Sequence, residues 1–299
     1  MQKSAEAVSA NEPDAPNANE VFVKRKGIVW LKFIRNYQVT IGAAIVLLFV
    51  LMAIFAPLLA PHDPLETNVQ VRLEGPSATH PLGTDELGRD MLSRIIFGAR
   101  VSLTVGLIST VLGGMVGVII GVVAGYFGGI LDVIFGRFVD VMLAFPGMLL
   151  ALVIVAILGS STFNVIIAIS IFAIPSFARI ARGSTLNVKK LEYVDAIKAI
   201  GASDLRVMFL HIFPNIWSPL IVQATLYVAS AIMIAAALSF LGVGTPPPTP
   251  EWGTILANGR EFLARAPHIV MFPGIVITIV VIAINMLGDG LRNALEPKD

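Results

Sequence analysis

The sequence predicts an all-α membrane protein, a polytopic bundle of six transmembrane helices. Three observations carry that prediction. Of 299 residues, 56% are hydrophobic and 14% charged, with a mean hydropathy of +0.83, whereas soluble domains hold roughly 45–50% apolar and about 25% charged residues. The apolar residues gather in uncharged runs long enough to cross a hydrocarbon core of about 30 Å, which takes ~20 residues. The cationic residues, finally, crowd the segments on one side of those runs.

Taken in order, residues 1–38 form a polar leader containing Pro13 and Pro16, read as a cytoplasmic tail with disorder expected up to about Asn19. The run "VTIGAAIVLLFVLMAIFAPLLA", residues 39–60, is uncharged over 22 residues. Signal-peptide cores span only ~7–15 residues, so this is an uncleaved first span. Residues 61–100 make an outside loop. Within it, "GTDELGRDMLSR" places Asp85 four residues from Arg89 and Asp90 four from Arg94, a spacing that supports an exposed, self-neutralised surface helix.

Residues 101–291 form the five-helix core. Val101–Leu131 supplies the second span and a Gly-rich exit, "GYFGG". On it Ser109, Gly113, Gly117, Gly121 and Gly125 recur every fourth residue, the small-residue pattern that lets membrane helices approach closely. Each step turns the stripe by ~40° on a 3.6-residue helix, so more than one neighbouring helix is expected to use it. Val141–Ala178 is uncharged over 38 residues. As one helix it would measure roughly 57 Å, so "GSSTFN" at Gly159 must break it into a hairpin of two spans. The fifth span runs from Ile216 to Val243 and ends at "TPPPTP"; the sixth is Ile269–Gly288, before a short tail at 292–299.

Lys and Arg favour cytoplasmic loops. With the N-terminus inside, 15 of the 21 fall on inside segments, so both termini and residues 184–214 are assigned to the cytoplasm. The outside loop at 244–268 carries Trp252, Ile255, Leu256, Phe262 and Leu263, which could cover a pore mouth as a gate or a structural cap.

The inside segment "KKLEYVDAIKAIGASDLRVMFLHIFPN", from Lys189, is the most informative stretch. Leu191, Val194, Ile197 and Lys198 repeat at helical spacing, and Gly201 suits a helix C-cap because glycine enters the left-handed region without strain. Ser203 can cap a second helix, with Asp204 in its first turn. Leu205, Met208, Phe209 and Ile212 give that helix an apolar stripe, and Pro214 stops it. The charges nearly cancel, so a DNA-binding helix–turn–helix, which needs a basic surplus, is excluded. An amphipathic loop lying on the bilayer is the plainer alternative.

This segment resembles the "EAA" loop of ATP-binding-cassette importer permeases. Asp195-Ala196-Ile197, Gly201 and Ile212-Phe213-Pro214 stand at its positions, with Asp in place of Glu. "HPLGTDELGRDMLSRIIFGAR", "AGYFGG", "LSFLGVGTPPPTPEWG" and "NMLGDGLRNALEPK" are typical of the second permease subunit of dipeptide, oligopeptide, glutathione and nickel importers. The resemblance runs from about Asn36 to the C-terminus. It implies a type I importer permease fold in the bacterial inner membrane. It also implies that Glu192, Asp195, Ala196, Ile197, Gly201, Ala202, Phe213 and Pro214 shape the element gripped by a cytoplasmic ATPase. The implied partners are a second, related permease, two ATPase subunits, an extracytoplasmic solute-binding protein and membrane lipid. The implied cargo is a short peptide, with a nickel chelate as the alternative.

The remaining features narrow the chemistry. No GxxxxGK[ST] loop is present, so ATP and Mg are expected on the partner subunits and no cofactor on this chain. Cysteine is absent, and His62, His80, His211 and His268 form no ligand pair at helical spacing, so no metal site is expected. The net charge of +1 gives no basic surplus for nucleic acid. Polar residues inside spans are Asn164, Gln223, Ser230 and Asn285; Gln223 and Ser230 share a face of the fifth span as pathway candidates. Arg137 and Asp140 suggest a local ion pair. An ion-coupled transporter would carry intramembrane acids, which the span centres lack. An intramembrane hydrolase would need a nucleophile beside a base, and no histidine lies within a span.

Overall fold

The computed structural model describes residues 36–295; the expected disorder up to Asn19 and the end of the C-terminal tail lie outside them. Among the described residues there is no strand, only an isolated bridge between Thr84 and Asp90. Five helices are long and apolar enough to cross a membrane, and a sharply bent pair supplies a sixth crossing if taken as one.

Helix α1 (Tyr37–Ile54) begins where the Asn36 side chain accepts a hydrogen bond from the Gln38 amide at 3.0 Å. The short α2 (Ala56–Leu59) follows, with Pro57 in its first turn, where a missing N–H costs nothing. Helix α3 (Met91–Phe127) has 37 residues and is about 55 Å long. It exceeds the hydrocarbon core, so residues 91–100, expected in the loop, are instead the projecting start of this helix.

The next segment departs from the sequence reading. Helices α4 (Gly129–Ala144) and α5 (Gly147–Leu158) meet at 89°. The break falls at Phe145-Pro146, because proline forces the preceding residue out of the helical region; Phe145 has ψ 135°. Val141–Ala144 therefore belongs to α4, and only 12 residues remain in α5. The hairpin turn does lie at Gly159, with φ +88°. Ser161 caps helix α6 (Thr162–Lys189) through the Asn164 amide at 3.1 Å. The Asn164 side chain closes the turn, donating to the Leu158 and Gly159 carbonyls at 2.9 Å.

Beyond α6 come α7 (Glu192–Ala199) and α8 (Asp204–Val207), then a π turn at Met208–Ile212 that leads into α9 (Phe213–Phe240). Pro214 thus does not stop the helix. It offers no amide to the Leu210 carbonyl, and the ladder adapts by widening: the Phe213 N–H bonds to the Met208 carbonyl, five residues back. Single π turns of this kind accommodate such defects without ending a helix. Helix α10 (Trp252–Gly259) and helix α11 (His268–Leu295) complete the chain.

The glycine stripe of α3 meets one helix, α6, and not several. A Cβ at Gly113 would lie 2.2 Å from the Ser170 carbonyl oxygen and one at Gly121 2.3 Å from that of Ala178. Gly117 is equally close to α6, 2.5 Å from the Ile174 carbonyl, and Gly125 lies 2.9 Å from that of Arg182. Ser109 extends the seam by donating to the Ile166 carbonyl at 3.2 Å. The drift of a four-residue repeat is followed by α6, whose own Ala173, Phe177, Ala181 and Thr185 recur with the same step. A repeat longer than 3.6 residues coils its seam in the right-handed sense.

Pairwise contacts fix which ends lie together. Gly290 abuts Val39, and Gly42 abuts Ala283 and Leu287, so α1 and α11 run side by side, with the start of α1 and the end of α11 at one end. Tyr126, Lys189 and Asp204 meet at that end. At the opposite end, Trp252 bonds to Ile95 and His268 to Thr84. Many large apolar side chains remain exposed on the flanks, among them Leu48, Leu58, Met115, Ile119 and Ile157, as helices facing lipid or a neighbouring subunit require.

Candidate functional site

At the end where α1 begins and α11 finishes, α7 and α8 form a helix–turn–helix. Gly201, with φ +88° and nothing near its missing Cβ, is the residue that turns the chain. Val194 and Val207 are fully buried and anchor the pair from below, joined by Met208 and Ile212. Glu192, Asp195, Ala196 and Gly201 are exposed, Ile197, Ala202 and Phe213 half-buried, and Pro214 exposed. The apolar stripe expected on the second helix divides: Met208 and Ile212 face in, whereas Leu205 and Phe209 face out. Ile200, between the helices, is 85% exposed. Ser203 occupies the N-cap position without a capping hydrogen bond from its side chain.

What fastens this element to the bundle escaped the sequence reading. The Tyr126 ring is buried at the end of α3, and its hydroxyl donates to Asp204 Oδ1 at 2.5 Å. Lys189 Nζ donates to the Tyr126 carbonyl at 2.6 Å, and Lys198 Nζ sits 4.5 Å from the ring centroid, within cation–π range. Both helices of the turn are therefore tied to one residue. Tyr126 lies inside the quoted "AGYFGG", but no periodicity distinguishes it there. Beside it, Arg182 holds Asp132 through two hydrogen bonds. Asp140 pairs with Arg179 at 3.7 Å, so the expected local pair with Arg137 is not formed.

The opposite end is built around buried charge, and the expected exposed helix across 85–94 is not formed: residues 81–90 are irregular, and 91–94 open α3. Asp85 accepts from the Leu87 and Arg89 amides and from Arg89 Nε at 2.6 Å. Arg94 turns away from Asp90 and lies 3.2 Å from Asp85, with Nη1 donating to the Pro64 carbonyl. All three side chains are almost wholly buried. The loop after α9 packs onto this unit. Trp252 is fully buried, its indole N–H donating to the Ile95 carbonyl at 3.0 Å. Glu251 caps α10 through the Gly253 and Thr254 amides and accepts from Ser102. Trp252 and Ile255 are thus structural, while Leu263 alone of the five loop residues is exposed.

Of the pathway candidates, Gln223 is half-buried, and Ser230 is exposed with its hydroxyl bonded to the Leu226 carbonyl of its own helix. His62 and His80, not at helical spacing, come together through the loop, with ring centroids 4.9 Å apart, beside Asp90.

Fold and helix–turn–helix together define a multi-pass permease of the importer type. Residues 117–298 match the model of the binding-protein-dependent transport system inner membrane component, and residues 27–76 that of the N-terminal TM domain of oligopeptide transport permease C. The chain belongs to the binding-protein-dependent transport system inner membrane component family. It is 47% identical over 278 residues to the di/tripeptide transport system permease protein DppC of Pseudomonas aeruginosa, covering 90% of this chain and 91% of that one. It is 45% identical over 270 residues to the glutathione transport system permease protein GsiD of Pectobacterium atrosepticum, covering 90% of each. Among solved structures, the MetNI methionine ABC transporter in inward-facing conformations has the same fold. Its TM-score is 0.57 at 19% identity, over 69% of this chain and 98% of that one.

Proposed function

We propose that this chain is a permease subunit of an ATP-driven importer of short peptides, dipeptides or glutathione-like tripeptides, and forms half of the translocation pathway. The observation that carries the proposal is the helix–turn–helix of Glu192–Val207. It is anchored from within by Val194 and Val207 and presents Asp195, Ala196, Ile200 and Gly201 outward. Ile200, 85% exposed, gives that face an apolar side chain for a partner to cover. The names of the relatives support the peptide cargo.

On this reading Glu192, Asp195, Ala196, Ile197, Gly201, Ala202, Phe213 and Pro214 form the face that enters a cytoplasmic ATPase subunit. Nucleotide and Mg bind to two such subunits and none to this chain, which is itself non-catalytic. The other half of the pathway is a second, related permease, and on this side Gln223 and Ser230 line the substrate's route. A solute-binding protein meets the opposite end, and both termini lie in the cytoplasm. Specificity then resides in the binding protein, since a permease that held its cargo tightly would release it slowly.

The test is reconstitution of the assembled transporter in proteoliposomes with labelled dipeptide, glutathione or chelated nickel. Uptake of a peptide that requires ATP, and is abolished by Ala196→Arg or Gly201→Val with the chain still in the membrane, is the expected result. Uptake of chelated nickel alone overturns the cargo. Uptake driven by a proton gradient without ATP overturns the mechanism.

A further inference from the structure

We propose that His62, His80 and Asp90 form a binding site for a transition-metal dication of the zinc type, at the end of the molecule opposite the termini. The site joins three separate pieces of chain: His62 follows α2, His80 lies mid-loop, and Asp90 is the N-cap of α3. One donor atom from each lies within 4.8 Å of the other two. His80 Nδ1 is 3.0 Å from Asp90 Oδ1, and His62 Nδ1 is 3.8 Å from Asp90 Oδ2. Tetrahedral zinc, with ligands at about 2.0–2.2 Å, separates its donors by about 3.3 Å. The His80–Asp90 edge, a hydrogen bond in the empty site, already falls near that value, and the His62 edges are longer.

Two independent observations point to a cation here. His62 Nδ1 is buried and has no hydrogen-bond partner, an arrangement that native interiors avoid and that a metal bond would satisfy. Asp90 is a carboxylate only 1% exposed whose ion-pair partners among the described residues are these two histidines. The neighbouring guanidinium groups are committed elsewhere: Arg89 and Arg94 both to Asp85, and Arg89 also to Glu86. With neutral imidazoles, Asp90 is a buried negative charge met by the Ser93 amide and hydroxyl and by His80 Nδ1, with no full positive charge beside it, and a dication would supply one.

The surroundings are those of a metal centre. Ser93 accepts from the His62 amide at 3.0 Å and donates to Asp90 Oδ2 at 2.7 Å. One hydroxyl therefore sets the positions of two of the three ligands, as outer groups around metal sites do. His62 is 37% exposed, which leaves a path from solvent. Two imidazoles and one carboxylate suit zinc, nickel or copper and not calcium or magnesium. Three protein ligands leave a fourth position for water. The metal would act as a clip, holding the long loop against the start of α3.

The experiment uses the full chain, purified in detergent without a polyhistidine tag, stripped with chelator and titrated with zinc chloride at pH 7.5. Calorimetry and elemental analysis should find one zinc per chain. His62→Gln and His80→Gln should each weaken binding by about 100-fold or more, while His211→Gln leaves it unchanged. His62→Gln removes no hydrogen bond that the ring Nδ1 makes, so the variant should keep its helix content by circular dichroism. Zinc should raise the melting temperature of the wild-type chain and not that of this variant. Failure of the wild-type chain to retain zinc, or equal retention by His62→Gln, overturns the proposal, as does loss of binding in His211→Gln.

Discussion

Asp85 shows how a few buried side chains organise a whole loop. It accepts from two amides and receives two guanidinium groups, all out of contact with water. Removing one member of such a set strands the others, which typically costs about 3–5 kcal/mol. Asp85→Ala should therefore lower the melting temperature of the detergent-purified chain sharply. A substitution at exposed Glu66, in the same loop, should change it little. Tyr126 plays the same organising part at the other end. Tyr126→Phe keeps the ring under Lys198 but deprives Asp204 of its hydroxyl donor. That hydrogen bond is partly exposed, so the stability loss should be on the order of 1 kcal/mol. The larger effect should be on ATP-dependent uptake, because α8 loses its tie to α3; uptake at the wild-type rate would refute the tie.

Among the elements, the seam between α3 and α6 tolerates least. Gly113→Ala would place a methyl carbon 2.2 Å from the Ser170 oxygen, and Gly121→Ala one at 2.3 Å from that of Ala178. Backbone cannot yield as a side-chain tip does, so each should destabilise by about 1–3 kcal/mol or more. Gly136→Ala on α4, with open space at its missing Cβ, serves as the neutral control. Thermal unfolding of the three variants separates seam from surface. The seam was legible in the sequence because small residues at a fixed step are a periodic signal. Its single partner was not, since a one-helix argument cannot foresee a neighbour that coils with the stripe. Uncharged length does not register the bend at Phe145-Pro146, whose physical reason is the proline. The π turn hides for the opposite reason: Pro214 reads as a stop, and only the widened ladder rescues the helix.

For the molecule as a whole, composition and run length carry the membrane bundle, and the spread of Lys and Arg predicts an orientation. The sequence conveyed little about the end opposite the termini. Asp85, Arg89 and Arg94 look like surface helix charges until Trp252, more than 150 residues later, packs against the start of α3 that follows them, and His62 meets His80 only through a loop closed by tertiary contacts. The orientation has a direct test. The chain lacks cysteine, so single cysteines report without background. In intact cells an impermeant thiol reagent should label Leu263→Cys, on the exposed loop after α10, and leave Ser203→Cys unlabelled. The reverse pattern would invert the topology while leaving the fold untouched.

The glycine seam also sets a timetable. Synthesis proceeds from the N-terminus at about 5–20 residues per second, so α3 leaves the ribosome before α6 does. The segment from Gly128 to Ser161 takes about 2–7 s at that rate. Throughout that interval Gly113, Gly117, Gly121 and Gly125 offer a bare groove to any small-faced helix nearby. The nascent chain therefore passes through a waiting period in which its most demanding contact surface has no partner of its own. Quality control during insertion, and not only the finished fold, bears on whether this helix pairs correctly.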